Sequence, residues 1–133
     1  MKHLTVALAA LCLASPVAAQ DSFTVTFDAG NYGTMIEGEI TGTGYADYRL
    51  SAAGGQTMFA ELEMAGTDGH GSVYFNILPP GSDDVAIFIG ATEGRTAELT
   101  LPEDGTYTLR VYQMGNDRDA GATSAFRVDL SIQ

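Results

Sequence analysis

Few residues in this chain are equipped to do chemistry. Beyond residue 19 there is one histidine, His70, and no cysteine. His70 lies in Asp68-Gly-His-Gly71, and a histidine flanked by glycines reads as a solvated turn residue. Zinc prefers nitrogen and sulfur ligands, so one histidine among carboxylates does not suit it. A serine nucleophile needs a base, an orienting acid and a strained turn such as Gly-x-Ser-x-Gly, and no such context occurs. Asp117-x-Asp119-x-Gly121 and Asp83-Asp84 pair carboxylates on turns in the manner of a calcium loop. The third oxygen ligand before the glycine and the distal glutamate are missing, so no metal and no other cofactor is expected. Paired carboxylates also cleave glycosides, but among 17 acidic residues some pairing is inevitable and carries no signal. Recognition is what remains. The run Met114-Gly-Asn-Asp-Arg-Asp-Ala-Gly-Ala122 carries one cation, Arg118, beside the amide of Asn116 and the carboxylate of Asp117. A loop of this composition is expected to bury nothing, and either to connect two strands or to present side chains to a partner. The chain is therefore expected to be a binding protein and not an enzyme.

The elements that hold this loop are written in a period of two. Before it, Tyr107, Leu109 and Val111 alternate with Thr108, Arg110 and Tyr112; after it, Phe126, Val128, Leu130 and Ile132 alternate with Arg127, Asp129 and Ser131. Upstream, strands are expected over 23–27, 32–40, 45–52, 56–64, 72–78, 85–89 and 96–101, separated by turn signals such as Gly54-Gly55 and Pro79-Pro80-Gly81-Ser82. Met58, Ala60, Leu62 and Met64 form the clearest inward set, with Tyr48, Leu50, Ile36 and Ile40 as further core. No stretch of ten residues has helical spacing, so no long helix is expected. Eight or nine short strands argue an all-β chain, an antiparallel β-sandwich of Greek-key or jelly-roll type. Asp104-Gly105-Thr106-Tyr107 reads as a tyrosine corner, with the phenol bonding back to the preceding turn.

Residues 1–19 read as a secretory leader: Lys2 and His3, an apolar run over 4–13, and Val17-Ala18-Ala19 as a small-residue cleavage pattern. Cys12, preceded by Leu11, does not fit a lipid-attachment signal, and the apolar run is too short to span a bilayer. Residues 20–133 then form one domain-sized unit, in the periplasm or outside the cell. Without Lys2 this unit has five arginines against 17 carboxylates, a net charge of −12. Such a field repels nucleic acid and anionic membranes and attracts a basic protein partner.

Gly38-Glu-Ile-Thr-Gly42, Tyr45-Ala-Asp-Tyr48, Gly55-Gln56, Tyr74-Phe-Asn-Ile-Leu-Pro-Pro-Gly-Ser82, Leu101-Pro-x-Asp-Gly-x-Tyr107, Leu109-Arg-Val-Tyr-Gln113 and Asn116-Asp117 run across nearly the whole of residues 20–133. Together they resemble the periplasmic inhibitors of g-type lysozyme and, more broadly, the β-sandwich domains similar to bacterial pre-peptidase C-terminal domains. The resemblance implies a non-enzymatic periplasmic protein that blocks a lysozyme cleft with the loop 115–122. It implies Arg118, Asn116, Asp117 and Tyr45 as lysozyme-binding residues. The family's loop carries arginines on both sides of Asn-Asp, where this chain has Gly115 and Asp119. The alternative is a non-inhibitory module of the pre-peptidase C-terminal type that binds glycan or protein.

Overall fold

The computed structural model describes residues 20–27 and 30–133; the leader expected over 1–19, with Cys12, lies outside the described residues. The chain runs β1 (Gln20–Thr24), β2 (Gly33–Thr41), β3 (Tyr45–Ala52), β4 (Thr57–Thr67), β5 (Val73–Leu78), β6 (Phe88–Ile89), α1 (Gly90–Glu93), β7 (Thr96–Thr100), β8 (Gly105–Gln113), α2 (Gly115–Ala120) and β9 (Thr123–Ile132). Two sheets face one another, one ordered β1-β3-β8-β5-β6 and the other β2-β9-β4-β7. All pairings are antiparallel except β1 on β3, which is parallel. Only β5 and β6 are consecutive within one sheet; every other connection passes from one layer to the other.

The period of two explains the layers, because it gives each strand one apolar face and two such faces bury each other. β8 lies between β3 and β5, β9 lies between β2 and β4, and these inner strands supply much of the core. Tyr107, Leu109 and Val111 of β8 and Val128 and Leu130 of β9 are fully buried, and Phe126 nearly so. Met58, Ala60 and Leu62 close the core from β4, Tyr48 and Leu50 from β3, and Phe75 and Ile77 from β5. Gly38 faces this core where two rings meet: a Cβ there would lie 2.5 Å from the Tyr48 hydroxyl and 2.6 Å from Cζ of Phe126. Burial, with the charge of Asp21 adding to it, pushes the Tyr48 phenol up to about 12, so this ring stays neutral where it packs.

The tyrosine corner is present. The Tyr107 hydroxyl donates to the Glu103 carbonyl at 2.6 Å and accepts from the Glu103 N–H at 3.1 Å. Asp104 accepts from the N–H of Gly54 at 2.7 Å, fastening two turns at the end of the sandwich remote from α2.

Three expectations need correction. The first strand covers 20–24, not 23–27, and its five residues are all exposed; it adds to an edge in parallel, with Phe23 stacked on Tyr48 at 5.2 Å. Of the strand expected over 85–89, only Phe88–Ile89 forms, as β6. Only Phe88 of it is buried, while Val85, Ile87 and Ile89 stand exposed along the sheet's free edge, where Glu93 accepts the N–H of Ile89 at 2.8 Å. The loop 114–122 does bury a side chain, that of Asp117.

Charge is divided between the layers. The outer face of the four-stranded sheet carries Glu37, Glu39, Glu61, Glu63, Glu98 and Asp129 around one arginine, Arg127, which lies 3.4 Å from Glu63.

Replacing Gly38 with alanine should overpack the Tyr48–Phe126 contact and cost about 1 to 3 kcal/mol, read as a lower urea midpoint with unchanged slope. Tyr107→Phe, which removes only the corner hydroxyl, should cost about 1 kcal/mol in the same titration.

Candidate functional site

The crossing from β8 to β9 is the connection on which the candidate residues sit. β8 keeps its inward parity to the end, so Gln113 follows Val111 into the interior and is 2% exposed. A buried amide must find partners. Its Nε2 donates to the carbonyl oxygens of Ala122 at 2.8 Å and Gly42 at 3.4 Å, and its Oε1 accepts from the Ser124 hydroxyl at 2.7 Å. The turn before β3 and the start of β9 are thereby tied to the end of β8.

Beyond Gln113 the chain turns into α2 through Gly115, whose φ of +61° is left-handed, and leaves it through Gly121, whose φ of +73° makes an αL C-cap. Of the residues in α2 only Asp117 is buried, at 1% exposure. Its carboxylate accepts from the backbone N–H of His70 at 2.9 and 3.1 Å and of Ser72 at 3.0 Å. These bonds favour the ionised form, and with the charge of His70 they hold the carboxyl below the usual range against the opposing effect of desolvation. The turn between β4 and β5 is shaped to deliver these donors. Gly69 has no room for a side chain, since a Cβ would lie 2.4 Å from Oδ1 of Asp117, and Gly71 has φ +80°. Asp68 accepts from the Thr123 N–H at 2.8 Å, and the Thr67 and Ser124 hydroxyls meet at 2.8 Å.

The four expected contact residues therefore separate. Asn116 and Arg118 are exposed on α2, and among the described residues Arg118 has only its neighbour Asp119 within ion-pair range, at 3.5 Å. Two exposed charges in that arrangement contribute little to each other's position. Asp117 lies between them in sequence but points inward; its lone pairs are occupied by the 70–72 backbone, so it fixes the turn and does not project from it. Tyr45 opens β3 at the same end, opposite Tyr112 on the outer face of the five-stranded sheet. The Arg110 guanidinium lies over its ring at 4.6 Å and is itself held by Asp47 at 2.7 and 2.9 Å. Asp47 is 1% exposed although it faces outward, because Arg110 covers it.

The sequence reading missed Gln113 and His70 as parts of this end. Inward parity marks Gln113; nothing local marks the turn at His70, because its partner lies 47 residues away. Between α2 and that turn is a cleft of about 330 Å³ lined by Asp68, Gly69, His70, Asn116, Ala120 and Gly121, among others. Asp117 and Asp119 do not converge as calcium ligands, and among the described residues no group of three or more metal-type side chains forms.

No family model matches the chain. It is 31% identical over 130 residues to the Escherichia coli (strain K12) inhibitor of g-type lysozyme, covering 96% of this chain and 93% of that protein. The chain belongs to the family of g-type lysozyme inhibitors. The crystal structure of the family's periplasmic inhibitor from Aeromonas hydrophila superposes with a TM-score of 0.78 at 28% identity, over 88% of this chain and all of that one. The pre-peptidase C-terminal domain of Bacillus anthracis collagenase shares the fold alone, at a TM-score of 0.53 and 15% identity. For a g-type lysozyme inhibitor, periplasmic residence and the β-sandwich are both as expected from sequence, and its relatives are inhibitors and not enzymes.

Asp117→Asn should release the 68–72 turn, because an amide nitrogen would face backbone donors. We expect a lower melting temperature and faster amide exchange at His70 and Ser72. A depressed native pKa stabilises above the unfolded value, about 3.9, and that stability is lost as pH falls through the native value. The advantage of the wild type over Asp117→Asn should therefore be complete at neutral pH and shrink below about pH 4, as read by paired thermal melts.

Proposed function

We propose that this protein inhibits a g-type lysozyme by inserting α2 into the enzyme's cleft, with Arg118 as the principal contact. The observation that carries this reading is the presentation of Arg118. It is the only cation between residues 114 and 122, its side chain is 53% exposed, and the turn beneath it is fixed by the buried carboxylate of the preceding residue. A guanidinium carried on a backbone fixed in this way suits a carboxylate inside a groove, since little backbone ordering remains to be done on binding. Asn116, on the same turn, supplies an amide able both to donate and to accept, which fits a groove built to bind sugar amides and hydroxyls. Tyr45 adds an aromatic edge on the adjoining sheet face. Asp117 takes part from within, by holding the shape.

The charge distribution supports a basic partner. A net charge of −12, concentrated in part on the outer face of the four-stranded sheet, steers a cationic enzyme toward the inhibitor while the turn provides the local fit. Gly115 and Asp119, where the family's arginines are placed by resemblance, leave one cation to act where relatives have more. Inhibition resting on a single guanidinium is correspondingly weaker and more sensitive to its removal.

Inhibition of a g-type lysozyme, with chicken-type and invertebrate-type enzymes as controls, is the direct measurement. Arg118→Ala should lose about 2 to 5 kcal/mol of binding with stability changed by no more than roughly 0.5 kcal/mol. Asp119→Arg should tighten inhibition. Undiminished inhibition by a normally melting Arg118→Ala variant would exclude α2 as the binding element. No inhibition by the unmodified protein would favour a non-inhibitory module that binds glycan or protein.

A further inference from the structure

We infer that the lysozyme-binding surface has two walls, α2 and the turn 68–71, and that His70 is a specificity-determining contact on the second wall. The inference rests on the proposed inhibitory function and extends it to a loop that neither the sequence motifs nor the names of the relatives indicate.

Asp117 is a buried charge on a surface connection. Joining β8 to β9 does not require a buried charge, and withdrawing a carboxylate from water is expensive unless its hydrogen bonds are replaced. Here they are replaced by N–H groups of a different loop, 45 and 47 residues distant in sequence. What the arrangement achieves is a fixed relation between two loop tips. Other bonds do the same from the opposite side: Asp68 holds Thr123, and Thr67 holds Ser124. Loops that only connect strands have no need of this, whereas a rigid, concave recognition surface does.

His70 is the one large side chain that the second turn displays. Its neighbours Gly69 and Gly71 are both required by backbone geometry, Gly69 by its approach to Asp117 and Gly71 by its positive φ. The His70 backbone is pinned to Asp117 while its residue is exposed, on the lip of the cleft whose other lip carries Asn116. An imidazole in that position offers a flat face together with a ring nitrogen that donates and one that accepts. Across the cleft from Asn116, it meets the far rim of an enzyme groove entered by α2. The groove is gripped from two sides, and its width becomes a selection criterion.

The experiment measures inhibition of g-type lysozyme by full-length mature protein carrying His70→Ala or His70→Gln, with melting temperatures recorded in parallel. His70→Ala should raise the half-inhibitory concentration about tenfold, equivalent to about 1.4 kcal/mol, with the melting temperature unchanged. His70→Gln, which keeps a donor and an acceptor, should recover most of the loss. Inhibition by the wild type that His70→Ala leaves intact, while Arg118→Ala abolishes it, would overturn the second wall and leave the proposed function standing. Absence of inhibition by the wild type would overturn both.

Discussion

The burial of β8 and β9 in one shared apolar core is the constraint on which the rest of this structure depends. Each is an inner strand of its own sheet, and the two are consecutive in the chain. No cysteine follows residue 19, so apolar contact among Tyr107, Leu109, Val111, Phe126, Val128 and Leu130 takes the place of a covalent brace. The connection between these strands is anchored near both ends by buried side chains, Gln113 and Ser124. Any side chain on it is therefore referenced to the core within a few residues. The site is precise because of where it is attached, although it lies at the surface.

A second level of order lies above that anchor. Gln113 gathers the turn before β3 and the start of β9, and Asp117 gathers the turn between β4 and β5, so three loops meet at one end. Both residues are polar, buried and satisfied, which is the condition under which a polar network rigidifies a structure. Rigidity of this kind lowers the ordering cost of association and favours slow dissociation.

Much of this was legible in the sequence. Alternation identified the strand at 45–52 with the bounds it has in the structure, and nearly the whole inward set of β4, β8 and β9, because burial on one face imposes its period directly on residue type. The tyrosine corner was legible for the same local reason. The burial of Asp117 was not, since its donors are backbone groups that any residue possesses; composition marked the loop as wholly exposed. The parallel placement of β1 was equally hidden. Its residues read as a strand, but which edge a strand joins, and in which direction, is set by partners distant in sequence. The strand expected over 85–89 shrank to Phe88–Ile89 because an apolar run alone does not supply a pairing partner, and at this free edge only residues 88 and 89 pair with β5.

That free edge has a consequence of its own. Val85, Ile87 and Ile89 line a strand margin of the sort that recruits other extended chains, and the domain must survive crowding with it uncovered. Glu93 turns back from α1 to occupy the N–H of Ile89, so the margin offers one donor fewer and a negative charge where an incoming strand would register. The four residues of α1 act as a stopper, ending the sheet chemically as well as geometrically. The same surplus of carboxylates that gives residues 20–133 their negative charge thus also works, at this edge, against copies of the protein templating one another.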